Sequence, residues 1–247
     1  MSFDVAYLVA IAAALAAGFV RGFTGFGAAL IFVPVVAAAF SPKLAAPVLL
    51  VLDFVLTLPL LVKAVRLVRW RTVLPAALAA MVTAPIGAYM LTTGDPVTLR
   101  WVITAIVAAL LVLLVSGWRY HGEPHPIPSI AVGASAGVLG GIAQASGPPV
   151  IAYWISGPYS MAVVRANMIC FFATISLSSF TAYFWNGLFS WEVGELVLIL
   201  APAYAVAVFV GARMFQRSGA VAYRGLAYGV IALAAILSMP VFDGVFD

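Results

Sequence analysis

Two glycine-rich stretches inside long apolar runs decide the fold of this chain. The first reads Gly18-Phe-Val-Arg-Gly22-Phe-Thr-Gly25-Phe-Gly27, and the second reads Gly133-Ala-Ser-Ala-Gly137-Val-Leu-Gly140-Gly141-Ile-Ala-Gln-Ala-Ser-Gly147-Pro-Pro149. The apolar runs around them, 5–40 and 124–164, contain a single charged residue, Arg21. Each run is too long for one membrane-crossing helix of about 20 residues and short for two. Because glycine weakens a helix, both runs are predicted to be broken helical segments.

The composition places the chain in a lipid bilayer. Of its 247 residues, 65% are hydrophobic and 8% are charged, against about 25% charged in soluble domains. The net charge of +4 rests on few groups, so it indicates basic loops and not nucleic-acid binding. A single cysteine, Cys170, excludes an intrachain disulfide. Plain membrane spans are predicted at 44–62, 72–91, 99–117, 165–187, 192–212 and 222–240.

The two halves of the chain align as a duplication. Three glycines and a proline of the first broken run fall on the same residues of the second at an offset of 115: Gly18, Gly22, Gly25 and Pro34 on Gly133, Gly137, Gly140 and Pro149. The stretch that begins at Gly87 matches the stretch that begins at Gly211 at an offset of 124. We therefore predict two repeats, 1–120 and 121–247, each with one broken segment and three plain spans.

Loop charges predict opposite orientations for the two repeats. The loop after the first plain span is basic and is predicted to be cytoplasmic, since it carries Lys63, Arg66, Arg69 and Arg71. Its counterpart carries Glu192 and Glu195 and is predicted to face outward. The next pair reverses, with an outer loop at Asp95 and an inner loop marked by Arg213, Arg217 and Arg224. The predicted fold is an all-α membrane protein with two inverted-topology repeats. It has about ten crossings if the broken segments are hairpins; the alternative is eight plain spans.

The duplicated glycine pattern resembles that of the TauE/SafE sulfite exporter family, also called the toluene-sulfonate uptake permeases. The pattern comprises the stretch 18–27, the following Pro34 and the second copy that ends at Pro149. The resemblance extends over nearly the whole chain. It implies a bacterial inner-membrane protein that exports or takes up sulfite, sulfonates or related sulfur compounds. The chain departs from the family pattern where glycine is expected at Ala28, Ala29 and Ile142.

A small oxyanion in a partly dry cavity needs hydrogen-bond donors, and both broken segments offer them. Backbone N–H groups at the start of a half-helix favour an anion, and glycine lets the ligand approach closely. The predicted substrate contacts from these segments are Gly22, Thr24, Gly25, Gly27, Gly140, Gly141, Gln144, Ser146 and Gly147. The alternative is that the glycines only allow tight helix packing.

Four more polar residues are candidates, and for Arg21 the reason is that a charge at membrane depth indicates function. Arg21 is predicted to bind the substrate anion, with an ion pair to Asp53 or snorkelling to an interface as alternatives. Asp53, the only acid in its apolar span, is a candidate for proton coupling or a structural partner of Arg21. Arg165 and Asn167 are predicted to contact the anion at the inner mouth, with a positive-inside anchor as the alternative for Arg165.

The sequence predicts a secondary transporter that binds a small sulfur-containing anion between the two broken segments and works by alternating access. An anion channel and a membrane scaffold are the alternatives. An enzyme is not expected, because no catalytic set of Ser, His and Asp assembles within the spans. Two histidines and a glutamate in one loop, His121, Glu123 and His125, are too few for a metal site. We expect no cofactor and no nucleic-acid partner; a homodimer and proton coupling stay open.

Overall fold

The protein is described by a computed structural model that covers residues 3–118, 120, 125–155, 159–217, 229, 231–236 and 239. These residues form nine helices and no strand. Their bounds are α1 (Phe3–Thr24), α2 (Ala29–Ala39), α3 (Pro42–Ala64), α4 (Trp70–Thr93), α5 (Pro96–Val115), α6 (Pro126–Ala143), α7 (Gly147–Trp154), α8 (Met161–Trp185) and α9 (Trp191–Arg217). Most of the predicted span 222–240, together with Arg224, His121 and Glu123, lies outside the described residues.

Seven of these helices are long and apolar enough to cross a membrane, which confirms the prediction of an all-α membrane protein. The predicted plain spans at 44–62, 72–91, 99–117, 165–187 and 192–212 correspond to α3, α4, α5, α8 and α9. Each broken run consists of one long helix and one short helix. In the first run these have 22 and 11 residues, and in the second 18 and 8. The breaks, at 25–28 and 144–146, therefore lie close to the middles of the runs 5–40 and 124–164.

The chain forms two compact units. Unit 1 comprises Met1–Leu52, Gly94–Val112 and Phe189–Asp247, and unit 2 comprises Asp53–Thr93 and Leu113–Leu188. Each unit takes segments from both predicted sequence repeats. The repeat boundary between residues 120 and 121 therefore differs from the boundaries of the compact units, and it stays a prediction.

In unit 1, α1 packs against α9 through glycine. A Cβ atom added to Gly22 would lie 2.0 Å from the carbonyl oxygen of Val208, and one added to Gly18 would lie 2.7 Å from that of Tyr204. From the other side, a Cβ on Gly211 would lie 2.3 Å from the carbonyl oxygen of Phe19. Because the contacts advance together along both helices, α1 and α9 run parallel with their backbones in direct contact.

In unit 2, α6 packs against α4 in the same way. Cβ atoms added to Gly133, Gly137 and Gly141 would lie within 2.5 Å of the carbonyl oxygens of Ala76, Ala80 and Ala84, respectively. Thr83 on α4 strengthens the contact, since its Oγ1 donates to the carbonyl oxygen of Ala134 at 2.8 Å. Close approach of backbones over small residues is a common basis of helix association in membranes.

The two helix pairs have matching contacts, in a register that differs from the predicted alignment. Gly22 of α1 contacts Val208 of α9, and Gly141 of α6 makes the equivalent contact with Ala84 of α4. Likewise, Gly18 contacts Tyr204, and Gly137 makes the equivalent contact with Ala80. By contact, Gly18 thus corresponds to Gly137, one helical turn beyond the Gly133 that the offset of 115 predicts. Glycine recurs every four residues along α6, so the sequence alone allows either register.

The loop between α4 and α5 is closed by a helix cap. The backbone N–H of Thr98 donates to Oδ2 of Asp95 at 2.9 Å, and the Thr98 hydroxyl lies 3.1 Å from the same oxygen. These hydrogen bonds stabilise the ionised carboxylate and lower the pKa of Asp95 below its ordinary value of 3.8. Asp95 therefore caps the start of α5, where Pro96 occupies the first helical position.

Candidate functional site at two helix breaks

The first break separates α1 from α2 in unit 1. Gly25 and Gly27 have φ angles of +81° and +90°, which are rarely adopted by residues with a side chain. A Cβ on Gly25 would meet no atom within 4 Å. The space beside Gly25 is therefore open, and this glycine is required by backbone conformation and not by packing.

Two side chains at the end of α1 hold the first break together. Nη1 of Arg21 donates a hydrogen bond to the carbonyl oxygen of Gly25. The hydroxyl of Thr24 donates to the carbonyl oxygen of Val20 at 2.8 Å and accepts from the N–H of Phe26 at 3.2 Å. Arg21 and Thr24 are both half-buried, so a charged guanidinium and a hydroxyl lie beside the open space.

The start of α2 is the positive end of a helix dipole, although the N–H groups of Leu30, Ile31 and Phe32 already donate to the carbonyl oxygens of Gly27 and Ala28. The first N–H groups of any helix have no acceptor within the helix, and the helix dipole makes this end electropositive. Apart from Val35, Ala38 and Ala39, α2 is buried along its whole length, and it carries no acidic residue in its first turn. The positively charged Arg21 and the electropositive start of α2 therefore lie within ten residues of one another along the chain.

The second break separates α6 from α7 in unit 2. Its left-handed residue is Gln144, with a φ angle of +54°, and not a glycine. Nε2 of Gln144 donates to the carbonyl oxygen of Gly140 at 3.0 Å and to the hydroxyl of Tyr183 at 3.1 Å. That hydroxyl in turn donates to the carbonyl oxygen of Gly141 at 2.7 Å. The Gln144 amide is thus engaged in closing the end of α6.

The start of α7 has few backbone donors. Pro148 and Pro149 follow Gly147, and proline has no amide hydrogen. Ser146 precedes them and is buried, but its side chain does not cap α7. Of the predicted backbone donors, only the amide of Gly147 and those beyond Pro149 remain at this helix start.

Three glycines predicted as substrate contacts lie inside helices. Gly22 and Gly141 pack against backbone of the neighbouring helix, and a Cβ on Gly140 would lie 2.8 Å from Cδ1 of Ile175. Backbone packing therefore accounts for glycine at positions 22 and 141, in line with the alternative interpretation of the sequence, whereas Gly140 faces only the flexible end of a side chain. A role in substrate binding stays a prediction for all three.

The structure places the remaining predicted residues in different surroundings. Arg165 is exposed on α8, and Asn167, two residues further, is completely buried. Oδ1 of Asn167 accepts a hydrogen bond from the backbone N–H of Arg69 at 2.8 Å. Asp53 is half-buried on α3. Its predicted ion pair with Arg21 and its role in coupling stay predictions.

Sequence reasoning missed two residues that the structure places near the second break. Tyr183 supports the end of α6, and Trp154 ends α7 completely buried. Both belong to aromatic-rich apolar stretches, so the sequence carries no signal that separates them from ordinary lipid-facing or core aromatics. Substrate binding that involves both breaks stays a prediction, since the first lies in unit 1 and the second in unit 2.

These features define a multi-pass membrane protein, and broken helices of this kind are typical of secondary transporters. The chain belongs to the family described as Sulfite exporter TauE/SafE, whose sequence profile matches residues 10–238. That is a transporter family. No curated protein and no solved structure matches the chain.

Proposed function

We propose that this protein is a secondary transporter of a small sulfur-containing anion, such as sulfite or a sulfonate, in the bacterial inner membrane. The observation that carries the proposal is the family match over residues 10–238 of a chain whose described residues include seven potential membrane spans. The proposed mechanism is alternating access, and the proposed activity is transport without catalysis.

The first break supports an anionic substrate. Arg21 supplies positive charge, Thr24 supplies a hydroxyl, and the positive end of the α2 helix dipole lies at the same break. The open space beside Gly25 leaves room for a ligand to approach the backbone. An anion at this position would interact favourably with the guanidinium and with the helix dipole in a low-dielectric setting. We therefore propose the first break as the principal substrate contact.

The direction of the helices supports the proposed inverted topology. In unit 1, α1 runs parallel to α9, whose first turns carry Glu192 and Glu195 and whose last turns are basic. In unit 2, α6 runs parallel to α4, which follows the basic loop and precedes Asp95. The positive-inside rule then gives α1 and α6 opposite directions across the membrane, as inverted repeats require.

Flux into proteoliposomes tests the proposed function. Purified protein is reconstituted, and uptake of sulfite, sulfate, thiosulfate and alkanesulfonates is measured against protein-free liposomes. A transporter gives saturable uptake and counterflow of labelled substrate. Absence of saturable flux for every anion in the panel would contradict the proposal, and non-saturating flux without counterflow would indicate a channel.

Two variants test the first break as the principal substrate contact. Arg21→Gln removes the charge, so we expect the KM for the transported anion to rise about tenfold or more. Thr24→Val removes the hydroxyl. Its matched control is Thr181→Val, because Thr181 is exposed on α8 and makes the same bond to the carbonyl four residues earlier, at 2.9 Å. Equal KM values for Arg21→Gln and the wild type would place the substrate elsewhere.

A further inference from the structure

The net charge of the chain is concentrated in one of its two compact units. Unit 2 contains six basic and two acidic residues, whereas unit 1 contains six of each, so the net charge of +4 belongs to unit 2. Four of the six basic residues lie between the end of α3 and the start of α4, and all four are exposed: Lys63, Arg66, Arg69 and Arg71. Residues 62–74 are called the basic segment below.

Hydrogen bonds hold the basic segment against the start of α8. The backbone N–H of Arg69 donates to Oδ1 of the completely buried Asn167 at 2.8 Å. The hydroxyl of Tyr159, which precedes α8, lies 2.9 Å from Oγ1 of Thr72. Arg165, a fifth exposed basic residue, lies two residues before Asn167 and therefore at the same end of unit 2. The exposed basic side chains thus extend from a backbone that is fixed to the rest of the unit.

Exposed apolar side chains alternate with the basic ones. Val62, Leu67 and Trp70 have exposed fractions of 67%, 53% and 42%, and Val65 and Leu74 are also exposed. Exposure of five large apolar side chains to bulk water is unfavourable. In the headgroup region of a bilayer the same pattern is favourable, because lipid covers the apolar groups while tryptophan and the long basic side chains reach the polar layer. The pattern therefore fits a segment that lies among lipid headgroups.

Unit 2 offers the basic segment no nearby acid among its described residues. Asp53 is the one acid of this unit that the structure describes, and it precedes Lys63 on α3 by ten residues, about 15 Å along the helix axis. The start of α4 at Trp70 adds the positive end of a helix dipole. Clustered positive charges repel one another, so an anion from outside the described part of the unit stabilises them.

We propose that the basic segment is a binding surface for anionic phospholipid. Its arginines contact the headgroup phosphates, since a guanidinium matches phosphate oxygens in hydrogen-bond geometry as well as in charge. Trp70 lies at the boundary between the headgroups and the acyl chains. The interleaved apolar side chains favour a lipid over a free inorganic anion, because a free anion leaves them uncovered. This surface is independent of which anion the protein transports.

Two tryptophans at helix starts provide the reporter and its control. Trp70 begins α4 between Arg69 and Arg71, whereas Trp191 begins α9 next to Glu192 and is 86% exposed. The protein is placed in phosphatidylcholine nanodiscs, which expose both membrane faces. The nanodiscs also contain an equal mole fraction of phosphatidylcholine or phosphatidylglycerol with brominated acyl chains, which quench tryptophan fluorescence on contact. The quenching of each reporter is the difference between the wild type and its Trp→Phe variant.

We expect brominated phosphatidylglycerol to quench Trp70 about twofold or more strongly than brominated phosphatidylcholine does. We expect no preference of this kind at Trp191, where the neighbouring charge is negative. Equal quenching of Trp70 by the two lipids would overturn the proposal, and so would the same preference at both tryptophans. This comparison needs no change to the basic segment itself.

Charge-removing variants test whether the arginines cause the preference. In Arg66→Gln/Arg71→Gln, we expect the ratio of the two quenching values at Trp70 to fall to about one. The matched control is Lys43→Gln/Arg213→Gln, which removes two positive charges from unit 1. A preference that survives in the first variant, or that is lost equally in the control, would overturn the proposal.

A final comparison distinguishes bound lipid from a free anion. Sodium phosphate and sodium sulfite are each added at the ionic strength of a sodium chloride reference, because salt screens all charges alike. We expect the lipid preference at Trp70 to be the same in the three salts. Loss of the preference in phosphate or sulfite, but not in chloride, would show a site for a free oxyanion and overturn the lipid surface.

Discussion

The hydroxyl of Tyr183 on α8 lies 2.7 Å from the carbonyl oxygen of Gly141 in the last turn of α6. The same hydroxyl accepts a hydrogen bond from the side-chain amide of Gln144, the residue with a φ angle of +54° that ends α6. Tyr183 is completely buried. One side chain thus satisfies a helix-end carbonyl and fixes the residue at which the second broken run changes direction.

Tyr183→Phe tests this support. The substitution leaves the Gly141 carbonyl and the Gln144 amide each without one buried partner, which costs about 1–3 kcal/mol. We expect a lower Tm in lipid nanodiscs and a larger loss of flux than of protein abundance. The control is Tyr89→Phe, since Tyr89 is 61% exposed on α4. Equal Tm values for the two variants would contradict a supporting role for Tyr183.

Gly22→Ala and Gly141→Ala test the backbone contacts of the two helix pairs. Their Cβ atoms would lie 2.0 and 2.2 Å from carbonyl oxygens of the neighbouring helix, so the helices must separate. We expect destabilisation of about 3 kcal/mol or more, measured by thermal unfolding. Gly194→Ala is the matched control, because its Cβ would meet no atom within 4 Å. Alanine at this helical position should be neutral or raise stability by up to about 1 kcal/mol.

Substitutions at Gly25 separate backbone strain from steric clash. A side chain here has open space but must adopt a φ angle of +81°. Asparagine tolerates this region, whereas a β-branched residue does not. We expect Gly25→Asn to fold with near-wild-type stability and Gly25→Val to lose about 1–2 kcal/mol or more. The Tm and the sulfite flux of the two variants test this order of stability. A Gly25→Val protein as stable as Gly25→Asn would contradict it.

The cap at Asp95 predicts an acid-sensitive contribution to stability. Hydrogen bonds from Thr98 lower the pKa of Asp95 below 3.8, so the folded protein favours the ionised form. The contribution is present above pH 3.8 and is lost as the pH falls through the lower pKa of the folded state. Asp95→Asn keeps a capping side chain and removes the titration. We expect the Tm of the wild type to fall more steeply than that of Asp95→Asn below this pH; parallel curves would contradict the linkage.

Composition and apolar length were enough to predict the membrane spans and the two breaks in the fold. The positions of the breaks were harder to predict, because some glycines allow close helix packing and others form a break. Gly18 and Gly22, like Gly133, Gly137 and Gly141, recur every four residues on one helix face, which is typical of close packing. Gly25 and Gly27 leave that spacing, and the first break lies at these two residues.

The second break has no such signal in the sequence. Gln144 adopts the left-handed conformation because hydrogen bonds to Gly140 and Tyr183 hold it there. These partners depend on packing between α6 and α8, which no local pattern reports. The same applies to Trp154, whose orphan N–H is visible only after burial is known. The sequence therefore predicts the segments that form the candidate site, but only some of the residues in it.

The pairing of α1 with α9 has a consequence for biosynthesis. α1 is synthesised before the other described helices, yet its partner α9 begins only at Trp191. The glycine face of α1 must therefore stay against lipid tails or an insertion chaperone while most of the chain is translated. α6 follows α4 with only α5 between them, so the second helix pair can assemble during translation. Unit 2 is thus translated to its end at Leu188 before α9 of unit 1 is synthesised.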